Sequence, residues 1–423
     1  MICDGLKESL KICVVTSTYP RTEDDYAVPW LRESIRRFVD RGHSVHVLAP
    51  SFEGLGNHAI DGVQVERFRY SPRQWERLTH EQGAPNRIRN PWYQLLGLPY
   101  VVMGCRAARH LARQHSFDVV HAHWPFPHEP IASAAAVACG ASLVMTSHGA
   151  EFALARRKAW VRPILRHSLC KADALIANSS DTAKHIHAIS GCSAEILPFG
   201  STVHPKSVVE DTNAVPRVLF TGRLIQRKGV EFLLRAIPRV LARSPAKFII
   251  TGDGDERANL ESLAATLELG DAVEFLGFVS NERLNKEYGR CNVWVNPSVI
   301  DDRGDTEGLG VGAIEAYMHG KPVVASAVGG IPDAVRNGTT GWLVPEKDTA
   351  ALAIAILDLV KDPAKARKFG EAGLRFAEQR FDWERITDRL EQIYYATTKA
   401  NVATTRRPFS ASPPRNVEYT FSP

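Results

Sequence analysis

An alternation of short β-branched runs with helix-period segments, occurring twice with an interruption between, constrains this chain most. In the first half the apolar runs fall at 11–17 (KICVVTS), 44–50 (SVHVLAP), 63–70, 119–124, 142–147 and 174–179 (ALIANS), and 195–199 (EILPF) closes the set. Helical patterns over 28–41, stopped by Gly42, and over 100–114 lie between them, and another opens at Ser180 or Asp181, both good N-caps. Residues 200–216 (GSTVHPKSVVEDTNAVP) have no apolar period, and their polar and proline content reads as a linker. The alternation then restarts at 217–221 (RVLFT), 247–251 (KFIIT), 273–278, 293–296, 322–326 and 342–344. This is the pattern of parallel βαβ units. It predicts an α/β chain of two doubly wound, Rossmann-like domains, 1–200 and 217–380, joined by a linker at 201–216 and separated by an interdomain cleft. A helix is expected over 381–403, and 404–423, rich in Ser, Thr, Arg and Pro, reads as a disordered tail.

Composition agrees with a soluble globular protein and excludes several classes. A length of 423 residues is too great for one ordinary core. The net charge of +5 is far from the basic stripe of a nucleic-acid binder, so no nucleic-acid partner is expected. The 7 cysteines are scattered without a CxxC pair, which argues against a disulfide framework or a zinc site and for buried thiols in a reducing cytosol. Residues 1–11 carry Asp4 and Glu8 and lack the apolar run of a secretory signal. The alanine-rich 131–145, interrupted by Gly140, is too short and weakly apolar to span a bilayer. The expected location is the cytoplasm.

Ligands in doubly wound sheets bind beyond the carboxyl ends of the strands, so candidate site residues are those at the strand ends. In 305–326 (DTEGLGVGAIEAYMHGKPVVAS), Glu307 and Glu315 flank Gly308, Gly310 and Gly312, and a helical run follows from Val311. A helix beginning near Gly310 presents unpaired N–H groups and a positive dipole end, suited to a diphosphate. Glu307 and Glu315 are then acceptors for sugar hydroxyls; the bland alternative is an ordinary solvated helix face. In 218–229 (VLFTGRLIQRKG), a strand meets a turn at Gly222, with Arg223 and Lys228 flanking a helix start. A guanidinium fork and an ammonium there suit a nucleoside diphosphate whose leaving charge must be neutralised.

These segments carry a resemblance. GRLIQRKG, ITGDGDE (250–256), EFLGFVS (274–280), EGLGVGAIEA and GKPVVASAVGGIPD (320–333) occur in an order that resembles the retaining glycosyltransferases of family 4, which have the GT-B fold. The resemblance covers nearly the whole second half. It implies that Arg223 and Lys228 bind the donor diphosphate and that Glu307 contacts the donor sugar and Glu315 the ribose. It also implies that backbone groups of Leu309, Gly310 and Val311 meet sugar and phosphate oxygens, with the base beside Phe278 and Val279. Tyr317, Met318 and His319 depart from the family's usual helix continuation. The first half resembles the family less specifically, through RGHSV (41–45) and TSHGAE (146–151), which puts His148 near the donor sugar. The family's Gly-Gly loop after the first strand is missing. Residues 18–29 (TYPRTEDDYAVP) stand in its place and resemble a subgroup acting on exopolysaccharide or lipid-linked intermediates. The segment FDWE (381–384) resembles the part that crosses back to the first domain.

Two further groupings carry possible chemistry. His121, His123 and His128 in HAHWPFPHE make zinc conceivable, but no Asp, Glu or Cys set completes a metal spacing. With a fold that generally works without metal, the expectation is no metal and no cofactor, and histidines lining the cleft. Residues 153–171 set Trp160, Val161, Ile164, Leu165 and Leu169 against Arg156, Arg157, Lys158, Arg162 and Arg166. Such a segment can lie peripherally on an anionic membrane at its inner face, or be a helix packed on its sheet with a solvated basic face. Arg67, Arg69, Arg73, Arg77, Arg87 and Arg89 add basic character suited to an anionic or lipid-diphosphate acceptor. The expected activity is transfer of a hexose from a UDP- or GDP-sugar, with retained configuration, to a glycan or lipid-linked acceptor in cell-surface glycoconjugate synthesis. A nucleotide-sugar 2-epimerase of the same fold, lacking the Glu-x7-Glu and GRL…KG pair, and a non-catalytic nucleotide-sugar binder are the rival readings.

Overall fold

A computed structural model describes residues 9–25, 27–79, 91–202 and 215–405. Residues 1–8, most of the expected linker (203–214), Arg87, Arg89 and the expected tail from 406 onward lie outside the described residues.

The first sheet comprises β1 (Lys11–Val15), β2 (Ser44–Pro50), β3 (His58–Ile60), β4 (Val63–Phe68), β5 (Val119–His123), β6 (Ser142–Ser147), β7 (Ala174–Ala177) and β8 (Glu195–Ile196). Their spatial order is β3-β4-β2-β1-β5-β6-β7-β8. The strands pair in parallel except β3, a short antiparallel edge against β4. The second sheet comprises β9 (Arg217–Thr221), β10 (Lys247–Thr251), β11 (Val273–Gly277), β12 (Val293–Asn296), β13 (Val323–Ser326) and β14 (Gly341–Val344), in the order β11-β10-β9-β12-β13-β14, all parallel. Helices cover both faces, so central strands such as β5, β6, β12 and β13 are buried along their whole length.

The last helix, Trp383–Thr405, packs on the first sheet, not the second. Leu390, Ile393 and Tyr394 join Ile12, Val14, Ile35 and Val144 in one core. Arg41 forms ion pairs with Glu384, Asp388 and Glu391 of this helix, and His43 Nε2 lies 2.9 Å from Glu391 Oε1. Because the helix runs to Thr405, it takes in the first two residues of the segment read as tail.

Four local readings change. The helix cap at 180 is Ser179, whose hydroxyl accepts from Thr182 N at 3.3 Å. The strand expected over 195–199 keeps only Glu195–Ile196. Arg67 is no surface cation: it is 7% exposed and donates to the carbonyls of Tyr19, Pro20 and Pro50, anchoring the 18–29 loop. Cys170 and Cys192 are not isolated buried thiols, since both reach the surface region with sulfurs 3.8 Å apart, as free thiols.

Candidate functional site

The carboxyl ends of the two sheets face each other. Gly308 follows β12, and a Cβ there would lie 2.8 Å from His148 O and 2.9 Å from Asn178 Nδ2 on the loops after β6 and β7. Ser180 Oγ donates to Asp333 Oδ1 at 2.8 Å, and Arg156 reaches the carbonyl of Gly304. The cleft is therefore lined by the loops that the sequence marked as glycine-rich.

Within the second sheet the loops stack backbone on backbone. Gly222, at φ 146°, follows β9, and a Cβ on Gly252 would sit 1.9 Å from its carbonyl oxygen. Only glycine at 252 allows that approach. The stacking brings the 222–229 loop against the loop after β12. There Lys228 Nζ and Arg227 Nη1 both hydrogen-bond Glu307 Oε2, the arginine at 3.2 Å, and Arg227 Nε lies 3.6 Å from Asp305 Oδ2. Burial opposes charge on Glu307, but Lys228 and Arg227 outweigh it and hold the carboxyl at about 2. Burial also lowers the Lys228 ammonium, countered by Glu307. Arg223 is exposed at the cleft surface, and crowding by protein followed by the charge of Arg227 lowers its pKa. Arg223, Lys228 and Glu307 thus come together, and Arg227, which the sequence reading passed over, is the fourth member. Its place beside Lys228 in QRKG was the available signal.

Gly310 adopts φ 83° and caps the helix Val311–Met318, while Leu309 beside it is buried. The helix start thus stands beside the cationic loop. Glu315, in the second turn of this helix, accepts from Tyr288 Oη at 2.8 Å, and burial raises its carboxyl. Tyr288 Oη also lies 2.8 Å from Thr221 Oγ1, which accepts from Trp294 Nε1 at 3.0 Å. This chain from β9 and β12 to Glu315 was not legible in the sequence. His319 stacks on Tyr288, and Tyr317 Oη pairs with Thr340 Oγ1 at 2.8 Å, so the departures at 317–319 are packing residues. Phe278, 79% exposed, and Val279 follow β11, the edge strand two places from β9.

Across the cleft, His148 follows β6, its Nε2 3.1 Å from His123 Nδ1 and its ring among Trp30, Trp124 and Phe199. His121 is held between Tyr394 Oη and Thr146 Oγ1, each at 2.7 Å, and His128 lies 2.9 Å from Tyr100 Oη. Burial depresses all four, to about 3 for His121 and His148 and about 4 for His128, so they are neutral at neutral pH. His121 and His123 share one side of β5 and His128 packs against Tyr100 on the other; only His123 and His148 meet at the cleft, while His121 and His128 are used up in packing. Among the described residues no group of three His, Cys, Asp or Glu side chains is placed to hold a metal ion.

The 153–171 segment is not one amphipathic helix. It breaks into Ala150–Arg157 and Val161–Cys170, with Val161, Leu165 and Leu169 fully buried against the sheet. Of its apolar side chains, Trp160 and Ile164 remain exposed.

Two parallel sheets meeting at their carboxyl ends, with a glycine-capped helix and a cation cluster at the junction, define a GT-B glycosyltransferase architecture. A sucrose-phosphate synthase from Thermosynechococcus elongatus superposes with a TM-score of 0.74 over 92% of this chain and 100% of its own, at 22% identity. Family models described as Glycosyltransferase Family 4 and Glycosyl transferases group 1 match residues 30–200 and 215–362. The first half of the chain thus matches glycosyltransferase family 4 and the second half glycosyl transferases group 1. An uncharacterized glycosyltransferase of Methanocaldococcus jannaschii is 34% identical over 42% of this chain and 44% of its own length. A GDP-mannose-dependent α-(1-6)-phosphatidylinositol monomannoside mannosyltransferase of Mycolicibacterium smegmatis is 33% identical over 44% of this chain and 50% of its own. The matched stretches thus span about half the length of these two relatives.

Proposed function

We propose that this protein transfers a hexose from a UDP- or GDP-sugar to a glycan or lipid-linked acceptor, retaining the anomeric configuration. The observation that carries the reading is the set of Arg223, Arg227 and Lys228 converging beside the helix start at Gly310. Donor diphosphate oxygens meet Arg223, Lys228 and the backbone N–H groups at Gly310 and Val311, beside the turn at Gly222, whose own N–H is held by the Thr251 carbonyl. Those cations supply the charge neutralisation that the departing diphosphate needs, so the reading is metal-independent. Glu307 faces the hexose and holds Lys228 in place before the donor arrives. Glu315, oriented by Tyr288, accepts from the ribose, and the base lies over Phe278 and Val279. Leu309 contributes backbone to the sugar end.

The bond from the sugar's anomeric carbon to the diphosphate breaks while the acceptor oxygen bonds the same carbon on the same face. The acceptor proton passes to the departing phosphate oxygen. His148, neutral through burial, serves as a hydrogen-bonding wall beside the donor sugar, not as a proton source. The mannosyltransferase relative's name supports a GDP-mannose donor and a lipid acceptor. Peripheral contact with an anionic membrane fits such an acceptor; among the described residues no helix is long and apolar enough to cross a bilayer. The test is incubation with labelled UDP- and GDP-hexoses, with and without glycan or lipid-linked acceptor, followed by NMR of the product anomer. Nucleotide release coupled to a product of retained configuration supports the reading. Binding without turnover, or inversion, defeats it.

A further inference from the structure

Among the described residues, the exposed apolar side chains gather most densely over 92–103, away from the 153–171 segment. Trp92, Leu95, Leu98 and Val102 are 63%, 67%, 74% and 54% exposed, with Trp75 and Met103 beside them in the chain order of the same region. Trp75 and Trp92 meet edge to face at 6.4 Å, which ties the loop after β4 to the short helix Pro91–Leu95 that precedes the helix Gly97–His115. Along that helix, Leu98 and Val102 are followed at helical spacing by Arg106, Arg109 and Arg113, all exposed. Arg73 and Arg77 flank Trp75 and are exposed as well. The opposite face, through Tyr100, Gly104, Ala108, Leu111 and Ala112, is buried. One face is thus apolar at its tip and cationic along its flank.

Its position follows from the topology. The loop bearing Trp75 leaves the carboxyl end of β4, and the helix Gly97–His115 returns the chain to the amino end of β5. Its apolar N-terminal tip therefore stands at the carboxyl end of the sheet, the end at which His148 also lies, although β4 is four places from β6 in the strand order. Paired tryptophans, aliphatic side chains and flanking arginines are the combination that settles at a lipid–water interface with an anionic surface.

We infer that this edge of the N-terminal domain, formed by Trp75, Trp92, Leu95, Leu98, Val102 and Met103, docks on an anionic lipid surface, so that the acceptor enters the cleft from the membrane. The docking stands on the surface itself; only the statement about the acceptor rests on the proposed transfer.

Flotation of the full chain with vesicles of phosphatidylcholine alone, or of equal phosphatidylcholine and phosphatidylglycerol, tests it. The protein floats with the anionic vesicles, and the fraction floating falls in high salt, where the Debye length is about 3 Å at 1 M. The triple variant Leu95→Ser, Leu98→Ser, Val102→Ser lowers partitioning roughly tenfold or more. Arg106→Gln, Arg109→Gln and Arg113→Gln each lower it about fivefold. Arg157→Gln, Arg162→Gln and Arg166→Gln, on the other segment, leave it unchanged. Failure to float with either vesicle, or undiminished floating of the serine variant, overturns the inference. So does ultracentrifugation showing a dimer that the serine variant abolishes, which would assign the face to a second copy. Nucleotide release from a soluble donor is measured on the same proteins. A chain that floats without releasing nucleotide contradicts the transferase reading and leaves the docking standing; one that releases nucleotide without floating does the reverse.

Discussion

Replacing Glu307 by glutamine removes the carboxylate shared by Lys228 and Arg227, with all three side chains at most 16% exposed. The carboxyl is held at about 2 against an ordinary 4.5. At about 1.4 kcal/mol per pH unit, that difference is worth about 3 kcal/mol of stability. The folded-state value is the depressed one, so this contribution is complete above about pH 4.5 and drains away as the pH falls toward 2. Glu307→Gln also leaves Lys228 buried without its carboxylate, while Arg227 keeps only Asp305, a loss of about 3–5 kcal/mol for a broken buried pair. Urea unfolding of both proteins across this range measures the gap. It should be about 3 kcal/mol or more at neutral pH and narrow steadily on acidification, because the wild type alone loses the contribution. A gap below about 1 kcal/mol at neutral pH, or one that does not change with pH, would refute the ion cluster as described.

Other outcomes follow from the same geometry. With the competing carboxylate gone, Glu307→Gln should bind bare nucleoside diphosphate at least as tightly as the wild type while turnover falls; weaker binding in calorimetry would assign Glu307 to the nucleotide. Glu315→Gln should weaken nucleoside diphosphate and intact donor alike by about 1.5–3 kcal/mol, the worth of a charged hydrogen bond, and an unchanged affinity would remove Glu315 from the ribose. Gly252→Ala places a methyl group 1.9 Å from Gly222 O, so donor binding should be lost together with thermal stability; a variant matching wild type in both would contradict the loop stacking. Tyr394→Phe strands His121 Nδ1 in the core and should cost about 1–3 kcal/mol in urea unfolding without changing donor affinity.

Much of the architecture was legible because, the edge strand β3 apart, both sheets are parallel. Buried strands such as β1, β10 and β13 are β-branched runs, and the helices between them carry the 3.6-residue period. The glycine-rich strand ends likewise marked Arg223, Lys228, Glu307 and Glu315, since close backbone approach leaves glycine in the sequence. What escaped was tertiary. The three-residue β3 is too short to show a period. Arg67 looked like one surface cation among many, and only the fold shows carbonyls of the 18–29 loop closing around it. The 153–171 segment has the composition of a membrane-facing helix, yet a break between Arg157 and Val161 turns its apolar side into the core. The exposed face at 92–103 went unread because apolar residues at helical spacing point to a core until the packing shows which side is covered.

Nucleoside diphosphate release from UDP- and GDP-hexoses, followed in parallel for the wild type and Arg223→Ala, tests the central claim most directly. If Arg223 and Lys228 neutralise the departing diphosphate, wild-type protein releases nucleotide from one donor class and Arg223→Ala does so roughly 10²-fold more slowly, with its fold intact by circular dichroism. Equal rates in the two proteins would contradict the account.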